Sequence, residues 1–225
     1  MVLTKNIDMP LFGQTQLFNE PISTSEIRKV VMDGREMRIL PHAEWMKFSW
    51  AEIRTLLHET ATYVVPTEEL IDYLDELIGD KKAIEICAGN GYIGSELDIV
   101  MTDSYQQQDD KMTVLMYDLM KQPRIKYPKS VIKMEAGQAV RRIRPHTVIG
   151  CYATHKWRDD VQNGNDKGVD FEDIFARVQR IILVGHKETH KYNPLMALPH
   201  QEIELPGLLT RAADQSLNRI FIWEH

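Results

Sequence analysis

From position 83 onward, short apolar runs alternate with polar or glycine-rich stretches. Ala83–Cys87, Ile99–Thr102, Val131–Met134, Thr147–Tyr152 and Arg180–Val184 are each too short for a striped helix. They are rich in Ile and Val, which predicts strands. Between them, Tyr92–Leu97 reads as a short helix, and Gln138–Ile143 and Phe171–Val178 as further helices. Met112–Met120 fits helix or strand, while Gln106–Asp110 and Trp157–Gly168 read as polar loops. Alternating strand and helix predicts an α/β fold, a doubly wound, mostly parallel sheet with helices on both faces. The end breaks the alternation. Glu202–Leu205 and Arg219–Trp223 have no convincing helix between them, which predicts a C-terminal antiparallel strand pair.

The pattern before position 83 is helical. Ser49-Trp50-Ala51-Glu52 has the spacing of a capping box, and Ile53, Leu56 and Leu57 then fall on one face. Pro66-Thr67-Glu68-Glu69 opens a second helix with acids in its first turn. Leu70, Ile71, Leu74, Leu77 and Ile78 make its apolar stripe, and Gly79 is placed to end it. Residues 1–24 have no period and read as an arm lying across the domain. Within that arm, Gln14-Thr15-Gln16-Leu17-Phe18 resembles the short Q-x-x-L-F peptides that dock on bacterial sliding clamps. The expected organisation is therefore an arm (1–24), a helical lead (25–80) and an α/β domain (81–225).

Composition narrows the function classes. The chain of 225 residues carries a net charge of −6, so its overall field does not draw it to nucleic acid or anionic membrane. The basic run Arg141-Arg142-Ile143-Arg144 reads as a solvated helix face. Two cysteines, Cys87 and Cys151, are too few for a disulfide framework or a four-cysteine zinc site. Both are expected to be reduced and partly buried, as in a cytoplasmic protein. No run approaches the length of a membrane-spanning helix, and the N-terminus lacks a basic segment followed by a long apolar one.

The candidate chemistry lies in Ile84-Glu85-Ile86-Cys87-Ala88-Gly89-Asn90-Gly91-Tyr92-Ile93-Gly94. A strand ends in glycines where a helix begins, and GNGYIG satisfies the dinucleotide pattern G-x-G-x-x-G. Glycines there let backbone approach a ligand, and the helix start offers free N–H groups. Glu85 sits inside the preceding strand, where a buried carboxylate must hold a loop backbone or a ligand ammonium group. Asp103 ends the next strand, placed to accept two ribose hydroxyls. Glu135, before Ala136, follows the third strand, placed to accept from an adenine amino group. All three acids would lie on the carboxyl edge of the sheet. The ribose acid serves NAD and S-adenosylmethionine equally. The 14 residues from Gly89 to Asp103 are fewer than the roughly 20 of the NAD fingerprint.

The run Glu85 to Gly91 resembles motif I of the class I S-adenosylmethionine-dependent methyltransferases, E-x-G-x-G-x-G, with Cys87 in the place of the first glycine. Asp103 matches that family's acid after the second strand, and Glu135-Ala136 its acidic site after the third. The resemblance covers roughly residues 80–225. It implies a seven-stranded sheet with one antiparallel strand and S-adenosylmethionine as cofactor. It further implies cofactor contacts from Glu85, Cys87, Ala88, Gly89, Asn90 and Gly91 around the loop. Asp103 and Ser104 would meet the ribose, Glu135 and Ala136 the adenine, and Cys151 would contact the cofactor from the end of the fourth strand.

The fourth strand runs into Gly150-Cys151-Tyr152-Ala153-Thr154-His155-Lys156-Trp157. This lacks both the prolines of the amino-methyltransferase motif and the Pro-Cys of cytosine-C5 enzymes. In the resemblance it borders the acceptor, so Tyr152 is a candidate to stack a planar substrate and His155 to take a proton. Tyr63, Pro66 and Thr67 are placed to cover the cofactor. His186-Lys187-Glu188-Thr189-His190 has helical metal spacing but follows a strand directly and reads as a loop bordering the site, with no metal. The expected activity is methyl transfer to an unidentified acceptor, nucleic acid or small molecule. A binding protein that keeps the fold without the chemistry, and an NAD-dependent oxidoreductase, stay open.

Overall fold

Local signals build the helical lead. A computed structural model describes residues 22–159 and 164–225; the Gln14–Phe18 peptide lies outside them. The lead comprises α1 (Ser25–Val31), a two-stranded hairpin pairing Met32–Asp33 with Glu36–Met37, α2 (His42–Trp45), α3 (Trp50–Glu59) and α4 (Glu68–Ile78). The capping box at α3 is formed as expected, with Ser49 and Glu52 satisfying each other's backbone N–H groups. Thr67 caps α4, and Gly79 ends it at φ 51°. Ile27, Val31, Trp45, Ile53, Leu56 and Leu57 form a core of their own, closed by Val65 and by Leu209 from far along the chain. The pattern shows α3 and α4 but not α1, the hairpin or α2, which are too short to display a period.

The sheet has seven strands: β1 (Ala83–Ile86), β2 (Val100–Asp103), β3 (Val131–Lys133), β4 (Thr147–Cys151), β5 (Arg180–His186), β6 (Gln201–Ile203) and β7 (Asn218–Glu224). Their order is β3-β2-β1-β4-β5-β7-β6, and β7 runs antiparallel to both its neighbours while the others are parallel. The expected alternation and terminal antiparallel pairing are present. Each central strand sends successive side chains to opposite faces. On β5, Ile181 and Leu183 join a core with Ala139, Val140, Phe171 and Ile174. Ile182 and Val184 join one with Leu70, Leu74 and Ile78 of α4. Burial on both faces explains why these strands read as unbroken apolar runs.

Between strands lie α5 (Tyr92–Glu96), α6 (Gln106–Asp109), α7 (Lys111–Leu119), α8 (Ala136–Ile143), α9 (Phe171–Phe175) and α10 (Lys187–His190). Two segments differ from the sequence reading, and a third that it left open is settled. Gln106–Asp109 is a helical turn rather than a loop. Met112–Met120 resolves to helix because Asp110 caps it, accepting from Thr113 N–H at 2.9 Å. The His186–His190 segment is also helical: the His186 ring accepts from Glu188 N–H and starts α10. Among the described residues no helix is long and apolar enough to cross a membrane.

Candidate functional site

The strand order reverses at β1, which lies between β2 and β4. In open α/β sheets the crevice at such a reversal, beyond the carboxyl ends of the strands, is where ligands bind. Here it opens into a cavity of about 770 Å³, within the range of small-molecule sites.

The chain turns sharply as it leaves β1. Cys87, Gly89 and Gly91 all have positive φ, at 52°, 56° and 73°. These are the three motif positions, so Cys87 adopts the left-handed conformation that glycine would take at lower cost. The turn is closed by Gly91 N–H donating to the Ala88 carbonyl at 2.8 Å, and tied to β2 by Ala88 N–H on the Thr102 carbonyl at 3.0 Å. Cys87 lines the cavity as a neutral thiol, because burial and the nearby Asp103 carboxylate push it upward.

Glu85 is buried within β1 and its Oε2 accepts from Gly94 N–H at 2.9 Å. Burial pushes its carboxyl up to about 8, against the opposing pull of the Gly94 N–H. The Cys151 thiol at the end of β4 shares a hydrogen bond with it, and burial raises that thiol too. Gly94 is fixed sterically: an added Cβ would lie 2.5 Å from Met101 Cγ and 2.6 Å from Glu85 Oε2. The third glycine of GNGYIG is thus a packing glycine that lets α5 sit on Glu85.

Asp103 terminates β2 on the cavity wall. Its Oδ2 accepts from Gly89 N–H at 3.0 Å and its Oδ1 from Tyr105 N–H at 2.9 Å. The Tyr127 phenol also hydrogen-bonds to it, and burial raises its carboxyl above the usual range despite these donors. Tyr127 stacks on Tyr105, with ring centroids 4.0 Å apart. It belongs to residues 121–128, which pass over the glycine loop: Ile125 Cδ1 is 3.1 Å from the Cβ position of Gly89, and Pro128 faces Gly91.

Asn90 points the other way. Its amide donates to the Thr60 carbonyl at 3.1 Å, tying the loop to the end of α3. The lead closes one side of the cavity with residues 61–64. This stretch is held in turn by the region before β7: Val64 bridges Thr210, Val65 N–H donates to the Leu209 carbonyl, and Arg211 N–H to that of Tyr63.

Those pairings assemble an aromatic end of the cavity. The Tyr63 and Tyr152 rings are 5.8 Å apart, and the Tyr63 and Tyr117 hydroxyls are 3.1 Å apart. The Arg211 guanidinium lies 4.0 Å over the Tyr63 ring. Tyr152, at φ 55°, donates to Thr210 Oγ1 at 3.0 Å, and burial pushes its phenol up to about 12.

Of the residues singled out in the sequence, Glu85, Cys87, Ala88, Gly89, Asn90, Gly91, Asp103, Ser104, Cys151 and Tyr152 line this one cavity. Three do not. Glu135 and Ala136 start α8 after the edge strand β3, with the Glu135 side chain exposed and capping nothing; the wall beyond Asp103 is built instead from Ser104, Gln106 and Gln107. His155 is turned into the protein, 2 % exposed, its backbone bridged to Val169, so it is not placed to take a proton from a ligand in the cavity. Pro66 and Thr67 likewise lie off the cavity, Thr67 using its side chain for the cap of α4. Nothing in the sequence marks Tyr117, Tyr127 and Arg211. Each reaches the site by a long-range contact, with no neighbouring motif to announce it. The described residues contain no cluster of three His, Cys, Asp or Glu side chains fit to hold a metal.

No family model matches the sequence, and no curated protein matches it. Solved structures give distant likenesses. A Staphylococcus aureus protein assigned as a caffeoyl-CoA O-methyltransferase is 14% identical, with 81% of this chain and 96% of that one covered and a TM-score of 0.41. The magnesium protoporphyrin IX methyltransferase of Synechocystis is 10% identical, with 91% and 98% covered and a TM-score of 0.39. A hypothetical protein of Thermus thermophilus is 14% identical, with 79% and 87% covered and a TM-score of 0.37. The chain's own strands define its architecture. The order β3-β2-β1-β4-β5-β7-β6 with β7 alone antiparallel has the seven strands and the single antiparallel strand that the resemblance in the sequence implies.

Proposed function

We propose that this protein is an S-adenosylmethionine-dependent methyltransferase, with residues 81–225 binding the cofactor and the helical lead closing the acceptor side. One observation carries the reading: a positive-φ turn after β1 and the Asp103 carboxylate after β2 line a single cavity at the point of strand reversal. The donor set fits the cofactor. Asp103 supplies acceptor oxygens for ribose hydroxyls, and Gly89 and Gly91 supply a turn without side chains. Bound there, S-adenosylmethionine would supply an electrophilic methyl group. The 3-2-1-4-5-6 strand order of dinucleotide folds has no antiparallel strand between the fifth and sixth, which weighs against NAD.

The protein's contribution is mainly placement. Glu85 holds the start of α5, and through it the glycine loop, against β1. Tyr152 and Tyr63 form an apolar wall that excludes water beside the reacting atoms. Among the described residues no histidine lines the cavity, and alignment of acceptor and methyl group is a source of large rate enhancement in itself. Calorimetric titration with S-adenosylmethionine, S-adenosylhomocysteine and NAD tests the reading. Both sulfur ligands should bind and NAD should not; binding of NAD alone would overturn it. Binding of both without label transfer to any acceptor in a broad panel would favour a binding protein that has kept only the fold.

A further inference from the structure

The aromatic end of the cavity holds a cation that has no carboxylate partner among the described residues. Two basic side chains line the cavity, Lys167 and Arg211. Lys167 is 3.8 Å from the Asp110 carboxylate and is neutralised by it. Arg211 pairs with no carboxylate among the described residues, and its side chain donates no hydrogen bond there. It is nevertheless held in place. Its backbone N–H donates to the Tyr63 carbonyl at 2.9 Å, and its guanidinium carbon lies 4.0 Å over the Tyr63 ring. The Tyr63 hydroxyl is fixed by Tyr117, and Tyr152 alongside is fixed by Thr210.

A guanidinium stacked on a ring presents its N–H edge in a fixed plane, suited to the two oxygens of a carboxylate or the oxygens of a phosphate. Stacking supplies the pre-organisation while leaving the donors free. The tyrosine rings beside it offer a surface for a planar body.

Resting on the methyltransferase reading for its role but not for its binding chemistry, we propose that Tyr63, Tyr117, Tyr152 and Arg211 form the acceptor subsite. Its ligand is a small planar molecule carrying an oxyanion, carboxylate or phosphate, held by Arg211. The chain's net charge of −6 disfavours a nucleic-acid phosphate as the source of that anion.

The test uses the full chain and four probes: 4-hydroxybenzoate, its neutral analogue 4-hydroxybenzamide, phenyl phosphate and a single-stranded oligonucleotide. Affinities are measured by ligand-observed NMR with and without S-adenosylhomocysteine, for wild type, Arg211→Gln and Arg211→Lys. One charged hydrogen-bonded contact corresponds to about tenfold or more in affinity. The better of the two small anions should therefore bind about tenfold more tightly than the amide, and its identity separates carboxylate from phosphate recognition. Arg211→Gln should bring that ratio to near one, and Arg211→Lys should restore part of it. Equal affinity for acid, phosphate and amide, no measurable binding of either anion, or a preference surviving in Arg211→Gln each overturns the proposal. Tighter, Arg211-dependent binding of the oligonucleotide overturns it in favour of a nucleic-acid substrate. S-Adenosylhomocysteine affinity should be unchanged in Arg211→Gln. Its absence in wild type would defeat the methyltransferase reading while leaving the anion contrast interpretable.

Discussion

The two ends of the cavity are built in opposite ways. At the glycine loop, Glu85 to Gly94 is one stretch of ten residues whose backbone groups bond within it, to the residues that follow or to the adjacent strands, while the Asn90 and Tyr92 side chains reach the lead. At the aromatic end, Tyr63, Tyr117, Tyr152 and Arg211 come from four segments, joined by one isolated bridge and a few side-chain contacts. On the proposed reading the first end holds the cofactor, and its turn is fixed by backbone geometry. The second, the proposed acceptor end, is built mainly from side chains, which can be exchanged without altering that turn. Substitutions at the two ends should therefore separate stability and cofactor affinity from acceptor choice.

The largest expected effect is at Glu85. A carboxyl raised to about 8 in the folded protein from near 4.3 unfolded binds more protons folded than unfolded between those values. Its contribution to stability is fully present below the unfolded value and is lost as pH rises through about 8. Glu85→Gln can still accept from Gly94 N–H but does not titrate. Denaturant unfolding from pH 5 to 9 should show wild type losing on the order of 4 kcal/mol relative to Glu85→Gln. Parallel pH profiles for the two proteins would show that Glu85 is not the group responsible.

Asp103→Ala comes next and tests the same end through its ligand. It should weaken S-adenosylmethionine binding by about 1–3 kcal/mol, the scale of a lost charged acceptor, and leave the anion preference at Arg211 intact. Unchanged cofactor affinity would mean that the ribose lies elsewhere.

The contrast also explains what the sequence made legible. The strands of the central sheet are buried on both faces and so appear as apolar runs; the capping box and the Thr67 cap are adjacent residues. The loop and Asp103 can be found because their spacing is local. Glu135 and His155 depart from expectation for one reason. A position at the end of a strand tells which edge a residue reaches but not whether its side chain turns to the cavity, to solvent, as with Glu135, or into the protein, as with His155. Arg211 cannot be found at all. Its role depends on Val64 pairing with Thr210 across 146 residues of chain, and no composition or period encodes that register.

Tyr127→Phe sharpens the comparison, since residue 127 is a long-range addition to the locally built end. Asp103 already accepts from the Gly89, Tyr105 and Ser104 N–H groups and from the Tyr127 phenol. A carboxylate offers about four acceptor positions, too few to keep all four donors and add two ribose hydroxyls. The Tyr127 hydroxyl is the donor that can leave without undoing the loop. Removing it should tighten cofactor binding by up to about 1 kcal/mol, the net worth of one hydrogen bond. Weaker binding by calorimetry would instead make Tyr127 a support for the loaded site.

The smallest expected effect concerns the clearest departure from the motif. Cys87 holds φ 52° where the family pattern has glycine, and an L-residue in that region costs about 1–2 kcal/mol. Glycine removes the strain but enlarges the conformational freedom lost on folding by about 0.5–1 kcal/mol. It also removes a half-buried thiol that packs beside the core holding Ile86. These terms nearly cancel, so Cys87→Gly should change unfolding stability by less than about 1 kcal/mol and leave cofactor affinity as it is. Cys87→Val provides the control. A β-branched residue at positive φ is a severe backbone outlier, so this variant should be clearly less stable than Cys87→Gly in the same denaturant titration. If valine is tolerated as well as glycine, the turn after β1 is not held at positive φ in solution, and the locally built end is less rigid than its hydrogen bonds imply.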